Sequence, residues 1–87
     1  MSGLYFTLYS RRYCHLCQDM AAALEAARAG RPFEVDVVDV DMAPAAVEAR
    51  YGELVPVLVH GGREVCHYHF DRLRFEAVIA ASAGKFG

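Results

Sequence analysis

The sequence is short of cysteine, short of any charge excess and without a long apolar run, and each shortage narrows what the protein can be. Three cysteines cannot all pair within one chain, so a disulfide framework of the kind that staples small secreted domains is not expected. Lysine and arginine number 9 against 11 aspartate and glutamate, for a formal net charge of -2; that balance offers neither a nucleic-acid-binding surface nor a disordered charged tail. The opening stretch MSGLYFTLYS has no basic flank, and its apolar run is too short for a signal peptide or a membrane span. Repeats, linkers and low-complexity segments are missing as well. The expectation is one domain over residues 1–87, monomeric and cytoplasmic, with no nucleic-acid or membrane partner.

What is present is a compact set of alternating elements. Apolar residues make up 55% of the chain, enough for a hydrophobic core in a domain near the lower size limit for folding unaided. Leu4 to Tyr9 is apolar, aromatic and β-branched, the pattern of a strand buried on both faces, and it stops at Ser10. Leu16, Met20, Ala23, Leu24 and Ala27 recur at helical spacing, with Gly30 and Pro32 as the stop. Phe33 to Val37 alternates with period two, a second strand reached by a helical crossover and therefore expected to run parallel to the first. Asp39, Asp41 and Pro44 then supply caps and a first-turn proline for a short helix through Arg50 that Gly52 ends. Pro56 to Val59, a turn at His60-Gly61-Gly62, and Arg63 to Cys66 make a hairpin. Asp71 caps a last helix, with Phe70 and Phe75 spaced as a hydrophobic staple.

Within this frame the segment SRRYCHLC, Ser10 to Cys17, carries the chemistry. In a reducing compartment a C-x-x-C is catalytic or metal-binding more often than structural. Cys14 falls at or just before the first turn of the helix, where unpaired backbone N–H groups and the positive end of the dipole stabilise a thiolate. Cys17 lies on the apolar stripe with Met20 and Leu24, one turn on and within bridging distance. One thiol faces outward to attack, and the other faces inward to resolve a mixed disulfide. Arg11, Arg12 and His15 add positive charge that favours the thiolate at Cys14. Asp36, Asp39 and Asp41 are candidate proton acceptors for Cys17, and the sequence assigns the role to none of them.

The order of elements, the C-x-x-C at a helix start, and Val55-Pro56 leading into a hairpin and a last helix resemble a glutaredoxin over almost the whole chain. "YCHLC", "RYGELVPVL" and the cysteine after the hairpin are similar to a group of small bacterial glutaredoxin-like domains without an assigned substrate. The resemblance implies an α/β fold of thioredoxin-like (glutaredoxin) type, β-α-β-α-β-β-α, with a four-stranded mixed sheet flanked by helices. It implies thiol–disulfide exchange with Cys14 as nucleophile and Cys17 as resolving thiol, no cofactor, and protein disulfides or low-molecular-weight thiols as partners. It also implies a cis Pro56 facing the dithiol and an extended substrate on the backbone of Val55, with Arg11, Tyr13 and His15 completing the binding surface.

One segment departs from the family. Where glutathione-binding members follow the hairpin with Gly-Gly and an Asp, this chain has Cys66-His67-Tyr68-His69, whose side chains crowd a place that should be bare backbone. A second class of function therefore stays open, a binding module holding a metal, an iron–sulfur centre or a protein partner. Cys14, Cys17, Cys66 and His69 have the ligand types and spacing of a tetrahedral zinc site.

Overall fold

The computed structural model describes residues 4–84, with side chains described through residue 82. The elements run β1 (Leu4–Ser10), α1 (His15–Arg28), β2 (Phe33–Asp39), a single 3₁₀ turn (Val40–Met42), α2 (Ala45–Tyr51), β3 (Val57–His60), β4 (Arg63–His67) and α3 (Arg72–Gly84). The strands form one sheet in the order β2-β1-β3-β4. β1 pairs parallel with β2 over its full length, from Leu4 opposite Phe33 to Ser10 opposite Asp39, and antiparallel with β3, which pairs antiparallel with β4. This is the mixed sheet and the element order implied by the resemblance.

Local chemistry explains most boundaries. α1 ends where Arg28 sits favourably in the last turn and Ala29 takes a left-handed conformation, φ 48°, followed by Gly30 at φ 77°. The hairpin turn needs two consecutive positive φ values and has them at Gly61 (58°) and Gly62 (78°). Asp71 caps α3 by accepting from the Arg74 N–H at 3.0 Å. Phe70 and Phe75 meet across that cap with ring centres 5.3 Å apart, so the staple read from the sequence is formed. The short helix expected through Arg50 is α2, but the capping residues expected before it form a separate 3₁₀ turn. Asp39 caps the 3₁₀ turn through the Asp41 N–H at 2.9 Å. Pro44 then occupies the N-cap of α2, not its first turn, and α2 runs one residue further, to Tyr51.

The two faces of the sheet are covered unequally. On one, Phe6, Leu8, Phe33, Leu58, Val65 and Cys66 pack with Met20, Leu24 and Ala27 of α1 and Phe75 of α3 in the main core. A register shift opposite Leu58 and Val59 lets both Val65 and Cys66 join it. On the other, the 3₁₀ turn and α2 bring Val40 and Tyr51 onto Val57 and Val59, and Tyr51 stacks on Tyr9 at 4.1 Å. That cover stops short of the start of β1, where Tyr5 is 64% exposed. The reading of β1 as buried on both faces therefore holds on the face of Phe6 and Leu8, while on the other Tyr5 is exposed and Thr7 and Tyr9 are half-buried. Among the described residues, no helix is long and apolar enough to cross a membrane.

Candidate active site

Strand pairing gathers the sequence-derived site at one end of the sheet. β1 ends at Ser10, opposite Asp39 of β2, while Tyr9 opposes Val57 and Val57 opposes His67. The Arg11–Cys17 segment, the 3₁₀ turn, Val55-Pro56 and the stretch after β4 consequently leave the sheet at the same end. Such a carboxyl-end crevice beside the central strand is where open α/β sheets place their ligands.

Cys14 is the N-cap of α1, with extended backbone, and its Sγ accepts from the Cys17 N–H at 3.2 Å. A sulfur at this position meets one of the orphan donors that open a helix, together with the positive end of the dipole. Cys17 lies a turn later and is 4% exposed, whereas Cys14 is half-exposed. The two are disulfide-bonded, with Cα atoms 5.2 Å apart. Tyr13, just before the cap, adopts φ 56° and is 95% exposed. His15, the first helical residue, is exposed as well. The Val55–Pro56 bond is cis, with Pro56 fully buried and Val55 half-buried.

Arg11 turns inward to the protein. Its Nη1 donates to Asp41 Oδ1 at 2.7 Å, and its Nη2 donates to Glu48 Oε2 at 2.8 Å and to the Gly52 carbonyl at 2.9 Å. The bond to Glu48, aided by the charges of Asp41 and Asp39, pushes the guanidinium pKa up, so Arg11 stays cationic. Gly52 is required at the end of α2, since a Cβ there would collide with the carboxylate and carbonyl of Glu48. Arg12 is more exposed and lies 3.8 Å from Asp39. Asp39 and Asp41 are thus engaged by the two arginines, and Asp36 is exposed on β2. None of the three is shown bonded to Cys17.

The segment in place of the family's glycines is built around Tyr68. Its backbone takes the left-handed conformation, φ 64°, that a glycine would favour. Its N–H donates to the Pro56 carbonyl at 2.9 Å, and its hydroxyl donates to the Glu53 carbonyl at 3.2 Å. Tyr68 therefore brackets the loop that carries Val55. His67 lies 2.6 Å from Glu64 and packs edge-on against Tyr68, while His69 is exposed. The tetrahedral site suggested by Cys66 and His69 is not formed. Cys66 is buried in the main core, where burial pushes its thiol pKa up, and among the described residues no three His, Cys, Asp or Glu side chains gather as metal ligands. A cleft of about 310 Å3 lined by His60, Arg63, Glu64, Arg74, Val78 and Ser82 lies by the hairpin turn, at the other end of β3 from Pro56.

Sequence reasoning placed the dithiol but missed Asp41, Glu48 and Gly52 as the partners of Arg11, and Tyr68 as the brace of the Val55 loop. Each pairing spans the tertiary fold. Gly52 alone left a trace, and it reads only as a helix stop.

Comparison with known proteins adds family and fold. Residues 6–80 match the family described as Glutaredoxin-like domain (DUF836). An uncharacterized protein of Mycobacterium tuberculosis is 30% identical over 86 residues, covering 94% of this chain and 89% of that one. The solution NMR structure of a Nitrosomonas europaea protein superposes with a TM-score of 0.79 at 30% identity, over 90% of this chain and 93% of the other. An X-ray structure from X. campestris gives 0.67 at 44% identity, over 87% and 96%. A thioredoxin of Fasciola hepatica, at 22% identity and a TM-score of 0.57 over 91% of this chain and 80% of its own, shares the fold.

Proposed function

The chain belongs to the glutaredoxin-like domain family, and from that premise we propose that it is a thiol–disulfide oxidoreductase working through Cys14 and Cys17. The supporting observation is the division of labour in the dithiol. Cys14 is half-exposed, with its Sγ accepting a helix N–H, while Cys17 is buried one turn behind it. In the reduced protein the Cys14 thiolate attacks a substrate disulfide. A Cys14–substrate S–S bond forms, the substrate bond breaks, and one substrate sulfur leaves as a thiolate that takes up a proton. Cys17 then gives up its proton and attacks Cys14 Sγ, releasing the second substrate thiol and leaving the Cys14–Cys17 disulfide. Two electrons and two protons pass to the substrate, and an external thiol in a reducing cytoplasm restores the dithiol.

Tyr13 and His15 flank the attacking sulfur, and the Val55–Pro56 backbone, braced by Tyr68, offers an edge for an extended disulfide-bearing segment. Insulin reduction in the presence of an external dithiol tests the reading, with Cys14→Ser as reference. Turnover well above that variant is expected. Equal rates for the two proteins would refute it.

A further inference from the structure

We propose that Asp41 and Glu48 set the substrate class of the dithiol by holding the Arg11 guanidinium away from substrate carboxylates, so that neutral or basic protein disulfides react in preference to small anionic ones. The proposal rests on Cys14 being the attacking thiol. An arginine three residues before that thiol would, if free, be the natural anchor for an anionic substrate. Here its donors are committed to two carboxylates and a carbonyl at 2.7, 2.8 and 2.9 Å.

The backbones that carry both carboxylates are fixed in turn. Asp41 lies in the 3₁₀ turn, its own N–H donating to Asp39 Oδ1 at 2.9 Å. Glu48 lies in α2, where its carbonyl accepts from the Gly52 N–H at 2.8 Å. For Arg11 to swing toward a substrate, two charge-assisted bonds to pre-ordered acceptors would have to break for one new contact. Arg12 is held more loosely: it is 74% exposed and only approaches Asp39, at 3.8 Å, without a hydrogen bond. This network sets three carboxylates against two guanidiniums, a local balance of one negative charge although two arginines precede the motif. A small dianionic disulfide meets repulsion there. A disulfide within a polypeptide gains its contacts from backbone and neighbouring side chains and does not depend on a cation.

Stoichiometric kinetics in a Cys17→Ser background, which stops at the mixed disulfide, supply the test. The probes are the dianionic disulfide dithionitrobenzoate and the cationic disulfide cystamine, and the quantity read is the ratio of their second-order rate constants. Arg11→Gln should change that ratio less than about twofold while Asp41 and Glu48 are present. With Asp41→Asn and Glu48→Gln in place, the freed guanidinium can reach the probe, and the same Arg11 substitution should lower the ratio at least about fivefold, because the charge acts in opposite senses on the dianion and the dication. Equal effects in the two backgrounds would overturn the proposal. A measurement without substitutions at these three residues guards against variants that fail to fold: the rate with the anionic probe should rise as salt screens the negative surface, and a rate that falls would reveal a free cation and overturn the proposal equally. The absolute rates separate this outcome from the oxidoreductase reading. A Cys14 no faster than a thiol in the urea-unfolded chain would sink that reading, while the ratio would still report on Arg11.

Discussion

Limiting iodoacetamide applied to the reduced protein at pH 6 should label Cys14 first and Cys66 last, and the size of the gap follows from where the two thiols sit. The Cys14 sulfur accepts from the Cys17 N–H at 3.2 Å. A hydrogen bond to a charged acceptor contributes about 1.5–3 kcal/mol, and the helix end adds about 0.3–1 kcal/mol. Taking roughly 2–3 kcal/mol together gives about 30- to 150-fold more thiolate than an unstructured cysteine has. A less basic thiolate also attacks more slowly, with a Brønsted slope near 0.5, which leaves a net gain of about 5- to 12-fold. Cys66 is 5% exposed, and burial pushes its thiol pKa up, so it reacts only when the core opens. At about 0.05–0.15 kcal/mol per residue, a chain of 87 residues resists global opening by about 4–13 kcal/mol, and the low end already slows labelling about a thousandfold. Cys17, 4% exposed behind the first turn of α1, needs only local opening and should fall between. Peptide mapping by mass spectrometry over a time course reads all three. Equal labelling, or Cys66 ahead of Cys14, would refute the reasoning.

Four further outcomes are expected. Cys17→Ser should accumulate mixed disulfides at Cys14, visible by intact-mass spectrometry, and lose turnover at least about a hundredfold because the resolving thiol is no longer held in place; near-full activity in a glutathione-coupled assay would show that the His67–Tyr68–His69 segment orients glutathione after all. Phe75 is 0% exposed, with ring centres 5.3 Å from Phe6 and 5.5 Å from Phe33, so Phe75→Ala should cost about 3–5 kcal/mol in urea unfolding, and a loss below about 1 kcal/mol would contradict the packing described. Asp71→Ala removes the bond to the Arg74 N–H and should cost about 0.5–2 kcal/mol, read as a lower urea midpoint with unchanged slope. The bonds from Arg31 and Arg72 lower the Glu76 carboxyl from 4.5 to about 2. Below 4.5 the unfolded chain therefore binds the proton that the folded one refuses, and the contribution of Glu76, full at neutral pH, is lost as pH falls toward 2; Glu76→Gln should flatten that part of the stability–pH curve, and an unchanged curve would refute the linkage.

What the sequence revealed and what it hid divide by range. The Cys14 cap, the Asp71 cap with its Phe70–Phe75 staple, and the Gly61-Gly62 turn are settled by residues within a few positions of one another, and all were readable. Tyr5 differs because an aromatic in a strand reads as buried until the extent of the covering layer is known, and the cluster around Val40 and Tyr51 takes in Tyr9 but not Tyr5. Arg11 reads as a free cation beside the motif because its partners lie 30, 37 and 41 residues away, on elements whose approach only the folded sheet decides. The departure at Cys66-His67-Tyr68-His69 was visible, but not its outcome: Tyr68 keeps a glycine-like backbone and uses its side chain to brace the neighbouring loop.

The position of β1 bears on how the chain is synthesised. β1 precedes the other described strands in the chain yet lies inside the sheet, with β2 on one side and β3 on the other. A nascent chain that has emerged only through α2 holds Phe6, Leu8, Met20 and Leu24 without the Leu58, Val65 and Phe75 that complete their core. It also presents β1 with one edge unpaired, which is an open template for a neighbouring chain. The core closes only once the hairpin and α3 join β1 and α1, so its completion depends on contacts between residues far apart in the chain.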